Sequence, residues 1–381
     1  MTKADKEGQR KAPILRFKGF TDDWEQRKLL KVCKKEDNKR IPIKEQERKE
    51  GNTPYFGANG IQGYIDGYTH DGTNILIAED GANNIRNYPI KLITGKIWVN
   101  NHAHVLKVST KTNNGNFLVG AIKKINFYRY LVGSSRYKLT AESLNQVKIK
   151  IAKQSEQEKI GELFKNIEEL LTLYDRKTKL IKQIQSSFLD QFFSEAINVT
   201  SLNHFLKIRN GYAFKSSELT ENGEIPVVKI SNIGNDKPFA FTTETKNKEH
   251  FILYPNDIVI ALSGATAGKI NQVSNKYPIY YQNQRVGFFE RKNDKLDYEY
   301  LNSFLHSKKF RSQLQKTLVA GAQPNIAPKD IEKIKIPFLE YELQQTIGQA
   351  NKDLFRLQNL NKRKLTVLNR IKTTLLNTMF I

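Results

Sequence analysis

Two long stretches of this chain repeat one another, and that limits its fold more than any single motif does. "LNQVKIKIAKQSEQEKIGELFKNIEELLTLYDRKTKLIKQIQSSFLDQFF" begins at Leu144, and "IEKIKIPFLEYELQQTIGQANKDLFRLQNLNKRKLTVLNRIKTTLLNTMF" begins 187 positions later at Ile331. The match runs without a gap: Val147 falls on Ile334, Ile160 on Ile347, Gly161 on Gly348, Lys177 on Lys364 and Phe193 on Phe380. A register held over about fifty residues marks an internal duplication.

Each copy opens on a short alternating run, Val147 to Ile151 or Ile334 to Phe338, which predicts a strand. It then continues as a helix of about forty residues, about 60 Å long. Apolar residues recur at heptad spacing at Ile160, Ile167, Ile181 and Phe188, and again at Ile347, Leu354, Leu368 and Leu375. Leu163, Leu170 and Ile184 fill a second seam. Helices with such seams pair. A duplicated chain folding on itself makes a pseudo-two-fold, so the expected pair is an antiparallel coiled coil with Tyr174 and Asn361 near the dyad. Gly161 and Gly348 each cost about 1 kcal/mol inside a helix, and close helix approach is the physical reason expected for them.

The intervening spans repeat more faintly. "NILIAEDGAN" (Asn74 to Asn83) lies over "DIVIALSGAT" (Asp257 to Thr266), and "VNNHAHVLKV" (Val99 to Val108) over "YQNQRVGFFE" (Tyr281 to Glu290). Both spans carry short apolar runs broken by Asn-Gly, Asp-Gly and Gly-Asn turns, as in "FGANGIQGYIDGYTHDG". The expected architecture is α+β, with a tail over 1–19, a globule over 20–143, a helical region over 144–195, a second globule over 200–330 and a second helical region over 331–381.

Charge narrows the partner. Sixty-two Lys and Arg against 39 Asp and Glu leave +23, which favours a polyanion, with nucleic acid ahead of an anionic membrane. The apolar runs, such as Ile75 to Ala78, are too short to span a bilayer, and the first residues carry no apolar leader segment. A single cysteine, Cys33, excludes an internal disulfide framework and any zinc site built on several cysteines. These features predict a soluble cytoplasmic protein.

Enzyme chemistry finds little support. "ALSGATAGKIN" (Ala261 to Asn271) suggests a phosphate loop, but three residues rather than four separate Gly264 from Gly268, and Ile270 stands where a hydroxyl would hold Mg²⁺. Its first copy, "NILIAEDGAN", has no Gly-Lys at all, so the element is read as a strand and glycine turn. His102 and His104 at i, i+2 on a predicted strand share a face, yet no third ligand is defined and the second copy puts Gln284 and Val286 there.

Both globules concentrate amide and basic side chains at turns. Asn59, Asn83, Asn84, Arg86, Asn100, Asn101 and His102 mark the first; Lys229, Asn232, Ser263, Thr266, Lys269, Gln282, Asn283, Gln284 and Arg285 mark the second. Asn and Gln pair with adenine, Arg with guanine, and Ser, Thr and Lys serve phosphates. Taken one at a time each is an ordinary turn residue. As two sets on a cationic chain they point to DNA reading.

At this point the chain resembles the specificity subunit of a type I restriction-modification system over nearly its whole length. "PILRFKGFTDDWEQRKL" (Pro13 to Leu29) is similar to the family's usual lead-in to a first target-recognition domain. "FGANGIQGYI", "ILIAEDGAN" and "NNHAHVL" resemble one class of that domain, and "IPVVKISNI", "DIVIALSGATAGKI" and "YQNQRV" another. "SSRYKLT" (Ser134 to Thr140, with Arg136 added to the DNA-contact candidates) and "GAQPNIA" (Gly321 to Ala327) look like exits into the two helical regions. "SEQEKI" keeps the family's Glu-Gln pattern, whereas "YELQQTI" has Leu343 in place of the Glu.

The resemblance implies a non-catalytic subunit that reads a bipartite duplex, one half per recognition domain; two unlike globules fixed on a common strut predict that the target is asymmetric, with half-sites about one helical turn apart. It implies two modification subunits that methylate adenine with S-adenosylmethionine and two restriction motor subunits that use ATP and Mg²⁺, with no cofactor in this chain. The competing readings are a non-specific nucleic-acid-binding coiled-coil scaffold and a nucleotide-binding enzyme.

Overall fold

The structure is a computed structural model that describes residues 11–134, 137–194, 198–235, 237–242, 248–317 and 324–381. The chain divides into two compact units, residues 1–175 with 363–381 and residues 176–362. The two copied helices, Gln154–Ser194 and Tyr341–Met379, therefore each give one half to either unit. Among the described residues no helix is long and apolar enough to cross a membrane.

In the first unit, an antiparallel sheet runs Cys33–Lys35, Ala103–Val108, Thr73–Ala78, Ile90–Thr94 in spatial order. A smaller sheet sets Thr53–Gly57 between Gly60–Ile65 and Trp98–Val99, the last pair parallel. The second unit repeats the plan with Leu206–Asn210, Val286–Arg291, Ile258–Ala261 and Ile270–Gln272. There too a parallel pair, Ile225–Val228 with Tyr280–Gln282, builds the smaller sheet. In both units the strand preceding the long helix is held by an antiparallel partner, Lys148–Ile151 by Glu25–Lys28 and Lys335–Pro337 by Val199–Ser201.

Within each unit the helix halves run antiparallel. In the first, Glu168 ion-pairs Lys372 and the Phe164 ring meets Phe380 at 5.3 Å. In the second, Gln185 donates to Asn351 Oδ1 at 2.8 Å and accepts from Gln358 at 3.1 Å. One seam is aromatic and the other is an amide ladder, because position 164 is Phe where its copy is Asn351. The second apolar seam does not close. Leu170 and Ile184 remain exposed, since pairing one neighbour turns only part of a wide apolar stripe inward.

The two helical glycines serve a different approach from the one expected. A side chain at Gly161 would fall 2.0 Å from Asn114 Oδ1, and Asn114 caps the helix Gly115–Lys123 through the N–H groups of Asn116 and Phe117. At Gly348 it would fall 2.9 Å from Asp297 Oδ1, the cap of helix Tyr298–Leu305. Four residues before each glycine a glutamine completes the seat: Gln157 Oε1 accepts the Asn114 N–H at 3.2 Å, and Gln344 Oε1 accepts that of Asp297 at 2.9 Å. Gln157 and Gln344 also donate to the carbonyls of Ala152 and Leu339. Each glycine thus admits the capped end of a domain helix rather than the other long helix. Gln-x₃-Gly is a duplicated socket that fastens each domain to its own long helix.

The expected tail over 1–19 is, from residue 11, a packed strap. Arg16 grips Glu156 with two hydrogen bonds of 2.8 and 2.7 Å, Trp24 Nε1 donates to the same carboxylate at 3.0 Å, and the Leu15 N–H reaches the Thr378 carbonyl. Glu156 is buried, and a buried carboxylate is tolerable only with such partners. Its copy, Leu343, is exposed.

Candidate nucleic-acid interface

In the first unit, hydrogen bonds join the turns that follow Thr53–Gly57, Thr73–Ala78 and Trp98–Val99. The turn after Thr53–Gly57 carries Asn59, whose Nδ2 donates to the Gly81 carbonyl at 2.9 Å and whose Oδ1 accepts the Asn83 N–H at 3.0 Å. The turn after Trp98–Val99 carries Asn100 and His102. Asn100 Oδ1 accepts the His102 N–H, and its Nδ2 donates to Gln62 at 3.3 Å. His102 Nδ1 lies 2.6 Å from Asp80. One network therefore joins Gln62, Asn100, His102 and Asp80, beside the Asn59–Asn83 bridge. Asn59, Asn83, Asn84, Arg86 and Asn101 are exposed and His102 half so, while Asn100 is buried and positions its neighbours. Arg136 lies outside the described residues.

The two histidines do not share a strand face. His102 sits in the turn ahead of Ala103–Val108, and His104 is fully buried. His104 Nδ1 faces Asp37 Oδ2 at 2.6 Å and Nε2 faces the Leu139 carbonyl at 2.8 Å. Both partners offer acceptor oxygens, so the ring is held at both nitrogens and His104 is a buried strut between Asp37 and the Leu139 carbonyl. The strand registers also correct its copy: His104 stands opposite Ile77, and Gly287 opposite Ile260. A side chain at Gly287 would come within 2.9 Å of Ile208 and Ile260, so that position is closed by apolar packing instead.

Around His104, Arg40 pairs with Glu79 at 2.6 Å, and Lys138 pairs with Glu79 at 3.1 Å. Burial pushes the Asp37 and Glu79 carboxyls upward, but the His104 hydrogen bond on Asp37 and the Arg40 and Lys138 hydrogen bonds on Glu79 outweigh it, and both end below the usual carboxylate range. Glu36 is lowered in the same way, burial opposed by Lys39 and Lys34. Groups depressed on folding contribute stability above their unfolded pKa, which is lost as pH falls through the folded value. The first unit should therefore loosen as pH drops below about 4, and Asp37→Asn should flatten that dependence while costing about 3 kcal/mol at neutral pH. Hydrogen exchange resolved by segment checks both; an acid response confined to the second unit would contradict them.

In the second unit the candidate loops also converge. Arg285 Nη1 reaches Ser263 Oγ at 3.3 Å, Ser263 bridges Asn325, and Asn283 bridges Tyr212. Lys269, Gln284 and Arg285 are exposed, and Lys229 and Asn283 half-buried. Four candidates face inward. Gln282 is fully buried with Nε2 donating to the Arg209 and Val286 carbonyls, each at 2.7 Å. Asn232 accepts from the Lys229 N–H and donates to the carbonyls of Lys237 and Pro238. Thr266 donates to the Ile230 carbonyl, and Ser263 is buried against Arg285. These four build the loops rather than their reading surface. Exposed Asn325 and Gln62 belong to the assembled faces and went unpredicted, because only strand pairing and loop contact bring them there.

The glycine turn is no phosphate cradle. The N–H groups of Gly264, Ala267, Gly268 and Lys269 bond to the carbonyls of Pro324, Gly264, Ala261 and Thr266. Gly264 and Gly268 adopt φ of 76° and 79°, which serves the tight return to the next strand.

Two copies of one β scaffold, each presenting its own polar turn cluster and each socketed on a shared pair of long helices, define a duplicated reader of an extended polyanion. The model of the type I restriction modification DNA specificity domain matches residues 21–184 and again 195–370. The chain belongs to that family and is a non-catalytic specificity subunit of a type I restriction-modification complex. It is 30% identical over 305 residues to a Haemophilus influenzae protein that carries the name type I restriction enzyme specificity subunit S.HindORF215P, covering 76% of this chain and 77% of that one. It is 23% identical to the MjaVIII specificity subunit of Methanocaldococcus jannaschii, covering 93% and 92%. The crystal structure of the S subunit from M. genitalium shares the fold with a TM-score of 0.75 at 17% identity, covering 97% of this chain and 99% of that chain.

Proposed function

We propose that the chain reads an asymmetric, bipartite double-stranded DNA target, one half per domain, and holds two modification and two restriction subunits to it in the cytoplasm. The carrying observation is that one scaffold occurs twice with different side chains on equivalent turns, Asn59, Asn83, Asn84, Arg86, Asn101 and His102 against Lys229, Lys269, Asn283, Gln284 and Arg285. Identical scaffolds with unlike surfaces read unlike sequences. S-adenosylmethionine, ATP and Mg²⁺ belong on this reading to the partner subunits. Sequencing duplexes retained from a random pool by the assembled modification complex, at one stated salt, should return two unlike half-sites at fixed spacing. Equal retention of all sequences would instead identify a non-specific scaffold.

The partner subunits have a matched pair of faces to meet. In the first unit Leu170, Leu173, Val367 and Ile371 are exposed, and in the second Leu357, Leu360, Leu180 and Ile184 are their copies. Exposed apolar side chains repeated at equivalent places suit two copies of one partner. Native mass spectrometry should show two modification subunits per chain. Leu173→Glu with Val367→Glu should leave one, and retention of both would remove this face from the interface.

A further inference from the structure

His102 and His104 are two residues apart and differ in what their rings have left to offer. His104 has both nitrogens committed to acceptors inside the first unit. His102 has one nitrogen committed, Nδ1 to Asp80 at 2.6 Å, and among the described residues nothing hydrogen-bonds its Nε2. Its side chain is 42% exposed, so that nitrogen is open to a ligand.

The ring is set in advance. The His102 N–H is held by Asn100 Oδ1 at 2.9 Å, its carbonyl accepts the Glu79 N–H at 2.9 Å, and its imidazole rests on Asp80. One contact within its own turn and two to the Glu79–Asp80 turn leave the side chain little rotamer freedom to lose on binding. A carboxylate can only accept, so the tautomer that hydrogen-bonds Asp80 carries its proton on Nδ1 and presents Nε2 outward as an acceptor. Beside it stand exposed Asn101, Asn83 and Asn59, which both donate and accept. In the major groove the hydrogen-bond donors on base edges are the exocyclic amines, N6 of adenine and N4 of cytosine.

We infer that His102 is a specificity-determining residue of the first half-site, where Nε2, its tautomer set by Asp80, accepts a hydrogen bond from an exocyclic base amine. Guanine and thymine offer only acceptors at their major-groove edges and leave this nitrogen unpaired. Asp80 is a positioning residue that touches no base.

The inference rests on the DNA-reading function proposed above, and base-analogue substitution separates the two. The assembled modification complex is first given the duplex it selects. Each adenine of the first half-site is then replaced by purine, and each cytosine by 2-pyrimidinone, which removes one exocyclic amine at a time. One replacement is expected to weaken binding by the unsubstituted complex about tenfold. The same replacement should cost nothing further to a complex carrying His102→Ala, and His102→Gln, which keeps an acceptor, should restore part of the penalty. Whether a purine or a 2-pyrimidinone substitution couples identifies the base. His102→Ala weakening all duplexes alike with a shallower salt dependence would make the residue a phosphate contact and overturn the inference. A lowered melting temperature with every analogue penalty intact would make it a loop strut and overturn it equally. If the unsubstituted complex selects no duplex, the DNA-reading proposal itself falls.

Discussion

Phe380→Ala is expected to destabilise the first unit by about 3–5 kcal/mol, although Phe380 is the second-last residue of the sequence. The ring is 1% exposed and packs on Phe117 and Phe164 at 5.3 Å and on Trp24 at 6.1 Å. It also presses on the helix Gly115–Lys123, where a side chain at Gly120 would meet it at 2.2 Å. Its copy, Phe193, fills the corresponding place in the second unit against Tyr300 at 5.3 Å and Phe304 at 5.4 Å. Phe193→Ala should therefore cost a similar amount, but in residues 176–362. Hydrogen exchange read segment by segment distinguishes the two variants. A loss under about 1 kcal/mol, the range of a surface change, or an equal response of both units to either variant, would show that the aromatic ends are not the keystones of separate cores.

The other large effect concerns specificity. Replacing residues 20–143 by another recognition domain of the family is expected to change one half of the DNA target completely and leave the other half as it was. The graft must supply a strand to pair with Lys148–Ile151, where Glu25–Lys28 pairs now. It must also present a small capping residue to Gln157 and Gly161 in place of Asn114, because a bulkier one would collide with the helix backbone at the glycine. Given those two features, the new domain seats on an unchanged helix. Sequencing the methylation pattern of cells carrying the full system reads the result. Alteration of both half-sites, or of neither in an active complex, would rule out independent reading by the two domains.

The second long helix shows how far pattern reasoning reaches. Heptad spacing placed Ile347 inside, and it is 1% exposed. The same spacing offered no reason for Asn351, Gln358 and Gln344 to be buried. Asn351 and Gln358 are satisfied by Gln185 from the other long helix, and Gln344 by the backbone of Asp297 and Leu339. Local periodicity reports which face of an element is apolar, and it is silent on polar groups that satisfy one another across the core.

The turns show the same division. Asn and Gln at a turn are recognisable from sequence as hydrogen-bonding groups, yet Asn59 and Asn232 look alike until their partners are known. Asn232 spends its amide on the Lys229, Lys237 and Pro238 backbone, whereas Asn59 bridges two turns and stays exposed. Likewise His102 and His104 share a motif and each rests Nδ1 on an aspartate, but only the Leu139 carbonyl facing Nε2 of His104 decides which ring keeps a free nitrogen.

The sequence by itself determined the duplication, the two long helices, the α+β character of the spans between them and the exclusion of a phosphate loop, because each is a matter of spacing along one chain. The tertiary structure alone decided that Gly161 and Gly348 admit helix caps, that Leu170 and Ile184 stay outside, and which turn side chains remain available to a ligand. Those outcomes depend on which groups arrive from far along the chain, and a hydrogen-bonding side chain is committed or free only once its partners are in place.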